Sequence, residues 1–179
     1  MKIVLMGIQG AGKSTQGNLL REKFDVEYLS TGHIFREMAK EKSPEGRWIK
    51  ETLNVGVLIP DEKTIEIVEL YLSKPAYEKG YILDGFPRTL AQAEQFRNGL
   101  DKVVHVKVSD KEALWRIAGR VSDREDETLQ AIRRRIEMFH EFTEPVIEYY
   151  REKGILVEVD GEQTVEEVFS SIIDGLHAK

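Results

Sequence analysis

The fold is decided by Met6-Gly7-Ile8-Gln9-Gly10-Ala11-Gly12-Lys13-Ser14-Thr15, which matches the phosphate-loop pattern G-x-x-x-x-G-K-[S/T] at Gly7, Gly12, Lys13 and Ser14. An apolar run before the loop, at 2–6, predicts a strand, and helix-forming residues follow it from 15 to 23. Strand, loop and helix in this order are the context that the pattern requires. Backbone N–H groups and the helix dipole then favour a bound anion. We expect Lys13 to reach the β- and γ-phosphates of a nucleotide, and the Ser14 hydroxyl to face Mg²⁺.

The composition indicates an ordinary globular domain. The chain has 179 residues, of which 41% are hydrophobic and 32% charged, enough for one domain with a substantial core. It has no cysteine, which excludes disulfides, cysteine metal ligands and thiol catalysis. No apolar run is long enough to cross a membrane, and the N-terminus lacks the layout of a signal peptide. The net charge of −6 argues against non-specific nucleic-acid binding. We expect a cytoplasmic monomer that binds neither membrane nor nucleic acid.

Strands and helices alternate along most of the chain. Apolar runs typical of strands recur at 2–6, 80–83, 103–108 and 155–159, with a weaker candidate at 27–29. Helical patterns separate them, which indicates βαβ units with right-handed crossovers. We predict an α/β phosphate-loop fold of three layers around a central five-stranded parallel sheet.

A helical insertion is predicted between residues 30 and 60, where no strand signal occurs. Ser30 or Thr31 is suited to cap a helix that runs to about residue 40. A second helix is expected from Pro44 towards Val55. The insertion would interrupt the alternation between two strands of the sheet.

The chain beyond residue 116 is dense in charge. We expect a helix to start near Asp123 and to be broken or kinked at Pro145, which cannot continue the backbone hydrogen bonds. A last helix is expected from about Thr164 to Leu176.

A second chemical signal follows the strand at 80–83, as Asp84-Gly85-Phe86-Pro87-Arg88. A carboxylate at the end of an apolar strand is typical of the acid that holds Mg²⁺, directly or through water, in phosphate-loop proteins. The alternative is that Asp84 only begins a turn before Gly85. Arg88 follows the same strand end, beyond which ligands of open α/β sheets bind. We expect Arg88 to project over the same crevice.

Four arginines are candidates for phosphate binding in this acidic chain. Arg116 and Arg120 are four residues apart and share a helical face. Arg124 and Arg135 are eleven apart, close to three turns of about 3.6 residues, and share a face if their helix begins by Arg124. For any one of them a surface charge is the simpler interpretation, whereas the shared faces favour a common anion site.

With these motifs the chain resembles an adenylate kinase of the nucleoside monophosphate kinase family over essentially its whole length. The matching pieces are the phosphate loop, Ser30-Thr31-Gly32, Arg36, Gly56-Val57-Leu58-Ile59-Pro60-Asp61, Asp84-Gly85-Phe86-Pro87-Arg88-Thr89 with Gln92, Arg120, Arg124 and Arg135. The resemblance implies a core (1–29, 60–118 and 126–179), an insertion that binds the nucleoside monophosphate (30–59) and a minimal lid (119–125). It also implies the reversible, Mg²⁺-dependent transfer of the γ-phosphoryl group of ATP to AMP, giving two ADP.

The resemblance also implies roles for individual residues. ATP contacts fall to Gly10, Ala11, Gly12, Lys13, Ser14, Thr15, Arg120 and Gln163. AMP contacts fall to Thr31, Arg36, Val57, Leu58, Ile59, Gly85, Phe86, Pro87, Arg88, Gln92, Arg124 and Arg135. The catalytic charge comes from Lys13, Arg88, Arg120, Arg124 and Arg135, and Ser14 and Asp84 hold Mg²⁺. No general base is needed, because the attacking AMP phosphate is already ionised at pH 7.

The chain departs from the family pattern at several positions. Gln9 stands where the family often has Pro, Ser14 where it commonly has Gly, and His33 where it usually has Asp. Glu127 stands where a second aspartate is common. The lid is the largest departure: only three residues separate Arg120 from Arg124. Zinc-binding lids of this family use cysteines, so we expect no zinc here.

Four rival functions stay open on the sequence. One is a catalytically reduced regulatory subunit, against which the intact Lys13, Asp84 and Arg88 argue. A UMP/CMP kinase of the same family tends to carry Asn at the position of Gln92, so Gln92 favours AMP. Another phosphate-loop kinase of small metabolites need not carry Phe86-Pro87-Arg88 with Gln92. A nucleotide-dependent switch such as a GTPase would be expected to carry an N-K-x-D guanine motif, which this sequence lacks.

Overall fold

A five-stranded parallel sheet forms the centre of the protein. The computed structural model describes residues 1–119 and 127–178. The strands are β1 (Lys2–Met6), β2 (Glu27–Ser30), β3 (Tyr81–Asp84), β4 (Lys102–Lys107) and β5 (Leu156–Asp160). Their order in the sheet is β2-β3-β1-β4-β5, and every neighbouring pair is parallel. The predicted sheet is therefore confirmed, including the strand for which the sequence signal was weak.

Helices cover both faces of the sheet because alternate strand residues point to opposite sides. In β1, Val4 and Met6 join one apolar cluster and Ile3 and Leu5 join the other. All four of these side chains are buried. Burial on both faces of the sheet explains why β1 has a continuous apolar sequence rather than an alternating one.

Nine α-helices lie in the described residues. They are α1 (Lys13–Phe24), α2 (Thr31–Met38), α3 (Pro44–Asn54), α4 (Asp61–Leu72), α5 (Leu90–Gln95), α6 (Asp110–Ala118), α7 (Leu129–Met138), α8 (Glu144–Glu152) and α9 (Val165–His177). A short 3₁₀ turn, Pro75–Tyr77, and a π-helical turn, Phe139–Thr143, complete them. Hydroxyl side chains accept a backbone N–H at the first turn of most helices, which satisfies donors that the helix leaves unpaired. These caps are Ser30, Ser43, Thr89, Ser109, Thr128 and Thr164.

Helices α2 and α3 lie where the sequence predicted two helices without a strand. Ser30 caps α2, as expected, and α3 has Pro44 in its first turn. The salt bridge from Lys63 Nζ to Glu45 Oε1, 2.9 Å long, joins α3 to α4. His33 is exposed on α2.

The prediction for the start of α7 was wrong. Thr128 has an extended backbone and its hydroxyl accepts the N–H of Ala131, so the helix that contains Arg135 begins at Leu129 rather than near Asp123. Arg124, which was expected to share that helix with Arg135, lies outside the described residues. The helix was predicted to be broken or kinked at Pro145; the regular α-helix is interrupted just before it, by the π-helical turn that ends at Thr143, and Pro145 lies in the first turn of α8.

Among the described residues, no helix combines the length and the apolar character that crossing a bilayer would require.

His140 links the first turn of α6 to the first turn of α8. His140 Nε2 lies 3.0 Å from Asp110 Oδ1, and its Nδ1 lies 2.7 Å from Glu144 Oε1. The hydrogen bond to Glu144, helped by Asp110, raises the pKa of His140 above its ordinary value of about 6.5. The stability from this contact should be fully present below about pH 6.5 and lost as the pH rises through the raised pKa. We expect His140→Asn to lose less than about 1 kcal/mol, because the pair is exposed.

Urea midpoints of the wild type and His140→Asn, compared between about pH 5.5 and pH 9, measure this effect. The two midpoints should differ at low pH and converge at high pH. His33→Asn, a change of another exposed histidine, is the control. A difference that stays constant over the whole range would contradict the proposed titration.

Candidate active site

The candidate site lies beyond the carboxyl ends of β1, β2 and β3. The chain leaves β1 towards β2 on one side and later adds β4 and β5 on the other, so the sheet changes direction next to β1. Such a switch point opens a crevice at the strand ends. The larger of two cavities at this position is lined by residues of the phosphate loop, α2 and the segment after β3.

The phosphate loop is already curled in this structure. Gly10 (φ 93°) and Gly12 (φ 88°) adopt backbone conformations that side chains disfavour, and Ala11 N–H donates to Ile8 O at 3.1 Å. The helix α1 starts at Lys13, whose ammonium donates to Gly7 O at 2.7 Å and to Ile8 O at 3.0 Å. The loop therefore places a positive charge and a helix N-terminus at the same edge of the cavity.

Asp84 lies at the end of β3, opposite Ser30 on β2. Its Oδ2 accepts a hydrogen bond from the Tyr28 hydroxyl at 2.9 Å, and Asp84 lines the larger cavity together with Ser14. Tyr28 was missed by the sequence reasoning, because its distance from Asp84 along the chain hides the contact. Its position in β2, two residues before the strand end, is the signal that could have placed it nearby.

Arg88 is held by its own turn. Its Nε donates to Gly85 O at 2.8 Å, and its carbonyl accepts from the Thr143 hydroxyl at 3.0 Å. Gly85 has φ 84°, and a Cβ added there would lie 2.5 Å from Thr31 Oγ1 and 3.0 Å from Arg88 Nη2. Only glycine allows this approach, so Gly85 lets the guanidinium fold back over the strand end.

Three guanidinium groups and one carboxylate face each other here. Burial lowers the pKa of Arg88; Asp84 opposes this effect, and the positive charges of Arg135 and Arg36 add to it. Arg36, Arg88 and Arg135 all line the larger cavity. Like charges held close together are unfavourable without an anion between them. The cluster is therefore suited to bind phosphate, which guanidinium forks hold through paired hydrogen bonds.

A smaller cavity adjoins this cluster. It is lined by Thr31, Val57, Leu58, Ile59 and Gln92, with Arg88 and Arg135 at its edge. The Thr31 hydroxyl donates to Asp84 O at 3.3 Å. The lining is apolar apart from a few polar groups, which is typical of a site for an organic ring.

Gln9, which departs from the family pattern, connects two elements across the loop. Its Nε2 donates to Glu127 Oε1 at 3.0 Å, and its Oε1 accepts from Arg135 Nη1 at 3.4 Å. Arg135 also donates to Leu53 O at 2.9 Å, at the end of α3. A proline at position 9 could make neither side-chain contact, so Gln9 and Glu127 help to place Arg135 in this chain.

Arg116 is one of the four arginines considered for phosphate binding, although the family resemblance gave it no ligand contact. Its Nη1 lies 3.9 Å from the position that a Cβ on Gly12 would occupy, and its Nε donates to Glu112 Oε1 at 2.6 Å. It therefore lies beside the phosphate loop. This position agrees with the anion site suggested by its helical spacing from Arg120, which itself lies outside the described residues.

The cavities bring together most of the predicted site residues. The larger cavity is lined by Gly10, Gly12, Lys13, Ser14, Arg36, Leu58, Asp84, Gly85, Phe86, Pro87, Arg88 and Arg135. Ala11 is buried within the loop, while Thr15 and Gln163 are exposed and line neither cavity. Arg120 and Arg124 lie outside the described residues, as does the predicted lid except for Gly119.

Comparison with known proteins gives one consistent family. The family model described as Adenylate kinase matches residues 5–155. The chain is 34% identical to an adenylate kinase of Caldicellulosiruptor bescii, over 98% of this chain and 99% of the relative. It is 34% identical to one of Desulfitobacterium hafniense, over 98% of each, and 38% identical to one of Clostridium botulinum, over 96% of each. The first alignment spans 212 positions against 179 residues here, so that relative has stretches without a counterpart in this chain.

Proposed function

The chain belongs to the adenylate kinase family, and we propose that its two adjoining cavities hold ATP and AMP with their phosphates facing each other. The reaction is ATP + AMP ⇌ 2 ADP. A phosphate oxygen of AMP bonds to the γ-phosphorus of ATP, the bond from that phosphorus to the bridging oxygen breaks, and ADP leaves. The alternative of a UMP/CMP kinase is not favoured, because the relatives compared are named adenylate kinases.

The observation that supports this proposal best is that Arg88 and Arg135 line both cavities. One cavity contains the phosphate loop with Lys13, and the other contains Gln92 and the apolar segment 57–59. Two anions drawn to the same pair of arginines would meet end to end. Holding two reactants in this way can lower the barrier by roughly 7–11 kcal/mol.

We assign roles by this geometry and by the family pattern. Gly10 to Thr15 bind ATP phosphates, with Lys13 on the β- and γ-phosphates. Arg36 and Arg88 bind the AMP phosphate, Thr31 and the segment 57–59 surround the AMP nucleoside, and Gln92 contacts its base. Arg135 contacts the group in transfer, and Arg116 joins the ATP side. Arg120, Arg124 and Gln163 keep their predicted ATP and phosphate contacts as proposals.

The protein contributes positioning and charge rather than proton transfer. The attacking oxygen is ionised at neutral pH, so no side chain must remove a proton. Charge spreads over the oxygens of the moving phosphoryl group, and fixed cations stabilise it without reorganising. The insertion 30–59 and the predicted short lid must exclude water, which would otherwise compete with AMP as the acceptor. The presence of only three residues between Arg120 and Arg124 supports a minimal lid.

The donor set suits Mg²⁺. Ser14 and Asp84 line the larger cavity together. No group of three or more metal-ligating side chains converges anywhere in the ranges 1–119 and 127–178. Mg²⁺ in phosphoryl-transfer sites is bound by one or two carboxylates with phosphates and water, so these two residues are sufficient. When bound, the ion would neutralise phosphate charge. Cytoplasmic location and the monomeric state stay predictions.

An acceptor panel tests the assignment. With ATP fixed, we expect AMP to be phosphorylated with a kcat/KM at least about tenfold above those of CMP, UMP and GMP, because an amide at position 92 pairs with the adenine edge. A coupled assay for ADP gives the rates. Equal use of CMP would restore the pyrimidine kinase interpretation, and no ADP formation with any acceptor would reject the kinase.

A further inference from the structure

The amide of Gln92 is fixed between two partners. The side chain is 1% exposed. Its Oε1 accepts the backbone N–H of Arg88 at 2.7 Å, and its Nε2 donates to Asp61 Oδ1 at 2.7 Å. Asp61 is the first residue of α4, and Gln92 lies in α5, so the contact joins two helices.

These two partners determine which end of the amide is oxygen and which is nitrogen. A backbone N–H needs an acceptor and a carboxylate needs a donor, so the observed orientation satisfies both. The opposite orientation would place Oε1 against the carboxylate and the NH₂ group against the Arg88 N–H. Both contacts would be repulsive in a buried position, and losing buried hydrogen bonds is costly. A 180° rotation of the Gln92 amide would therefore cost substantial free energy.

A fixed amide distinguishes purines by the group at position 6. After its two contacts, the amide still has one N–H and one oxygen lone pair, and Gln92 lines the smaller cavity. Adenine offers a 6-amino donor next to the N1 acceptor, which complements this oxygen and this N–H. A 6-oxopurine offers an oxygen acceptor next to an N1–H donor, so both contacts become repulsive.

We propose that Asp61 is a positioning residue that locks Gln92 in the orientation selecting a 6-aminopurine monophosphate over a 6-oxopurine monophosphate. The inference rests on the proposed function and deepens it, since it assigns acceptor selectivity to a residue outside the cavity lining. Arg88 contributes to the same lock through its main chain.

A simpler role for Asp61 is the favourable placement of an acid in the first turn of α4. Glu62 occupies the same turn, is exposed and makes the same electrostatic contribution, which makes it a matched control. If only the helix dipole mattered, neutralising either residue would have the same small effect on both acceptors. If Asp61 fixes the orientation of the Gln92 amide, only the change at position 61 should alter the ratio of kcat/KM between the two acceptors.

The experiment measures kcat/KM for AMP and for IMP, its 6-oxo counterpart, with ATP fixed. An asparagine at position 61 can donate or accept, so Asp61→Asn should lower the AMP-to-IMP ratio at least about tenfold. Part of that change should be a gain in activity towards IMP, which damage to the fold would not produce. Glu62→Gln should keep the wild-type ratio.

An unchanged ratio in Asp61→Asn would overturn the lock while leaving the kinase assignment intact, and so would a wild type that uses IMP as well as AMP. Absence of AMP phosphorylation in the wild type would instead reject the proposed function. A second measurement does not depend on the variant folding. In the wild type, one side-chain amide proton of Gln92 should be protected from solvent exchange by Asp61. Rapid exchange of both protons would overturn the lock.

Discussion

Arg88→Ala is expected to lower kcat by about 10³–10⁵-fold, the range known for arginines that stabilise a phosphoryl group in transfer. Arg88 lines both cavities, so it is placed to contact the acceptor phosphate and the moving group. Its guanidinium is oriented by the bond from Nε to Gly85 O. Alanine removes the charge, the fork and this orientation together. Because the contact strengthens as charge develops, kcat should fall more than the KM for AMP rises.

The fold should tolerate the loss of the Arg88 side chain. Within the described residues its side chain donates to the backbone carbonyl of Gly85, and its removal relieves repulsion from Arg36 and Arg135. We expect the free energy of unfolding to change by no more than about 1 kcal/mol. Arg97→Ala, a change of an exposed arginine further along the chain, is the control. Coupled ADP assays and thermal melts on both variants measure the difference, and near-normal turnover in Arg88→Ala would remove Arg88 from the centre of the reaction.

Arg88→Lys refines the result. Lysine keeps the positive charge but cannot hold two phosphate oxygens with one planar group. We expect an activity between those of the wild type and the alanine variant. The difference in kcat between the lysine and alanine variants then measures the contribution of the positive charge. The difference between the wild type and the lysine variant measures the contribution of the planar, two-pronged geometry.

Much of the fold could be predicted because it depends on local patterns. The central strands β1, β3 and β4 are buried on both faces, so an apolar run was sufficient to find them. The short strand β2 was the weakest signal, since only Leu29 of its four residues is buried. Its place at the edge of the sheet explains this: an edge strand has one neighbour and needs less apolar surface.

The start of α7 was expected near Asp123, whereas the Thr128 hydroxyl caps the helix and α7 begins at Leu129. The choice depends on packing: Ala131, Ile132 and Ile136 are buried and make α7 part of the core. Helix propensity alone does not measure that burial, so the local sequence did not place the start of α7 correctly.

The candidate site was predictable as motifs but not as contacts. The phosphate loop and the segment 84–88 predict a phosphate-binding site, because they carry characteristic residue types at fixed spacing. The pairs that orient the site join distant parts of the chain: Tyr28 with Asp84, Gln92 with Asp61, and Gln9 with Glu127. Nothing local in one sequence reveals such pairs, because each partner is also an ordinary helix, strand or loop residue.

The second large effect is expected from Lys13→Met. The ammonium of Lys13 lies at the N-terminus of α1 and donates to the loop carbonyls of Gly7 and Ile8. A nucleotide phosphate would compete with these carbonyls for the N–H groups of the ammonium. The positive charge of Lys13 would then lie next to the phosphoryl group in transfer. Methionine is similar in length and apolar stem but brings no charge. Losing one fixed donor to a developing oxyanion typically costs about 10²–10³-fold in kcat.

Lys23→Met is the matched control, because Lys23 lies in the last turn of the same helix and is exposed. It should keep wild-type kinetics, whereas Lys13→Met should lose kcat in both directions of the reaction, since ATP synthesis from two ADP passes through the same transition state. Steady-state assays in both directions, with thermal melts to check folding, give the comparison. If Lys13→Met raised the KM for ATP but kept kcat, Lys13 would bind the ground state and the transition state equally. Arg88 and Arg135 would then have to stabilise the charge on the moving phosphoryl group. In that case Arg88→Ala should lower kcat far more than Lys13→Met does.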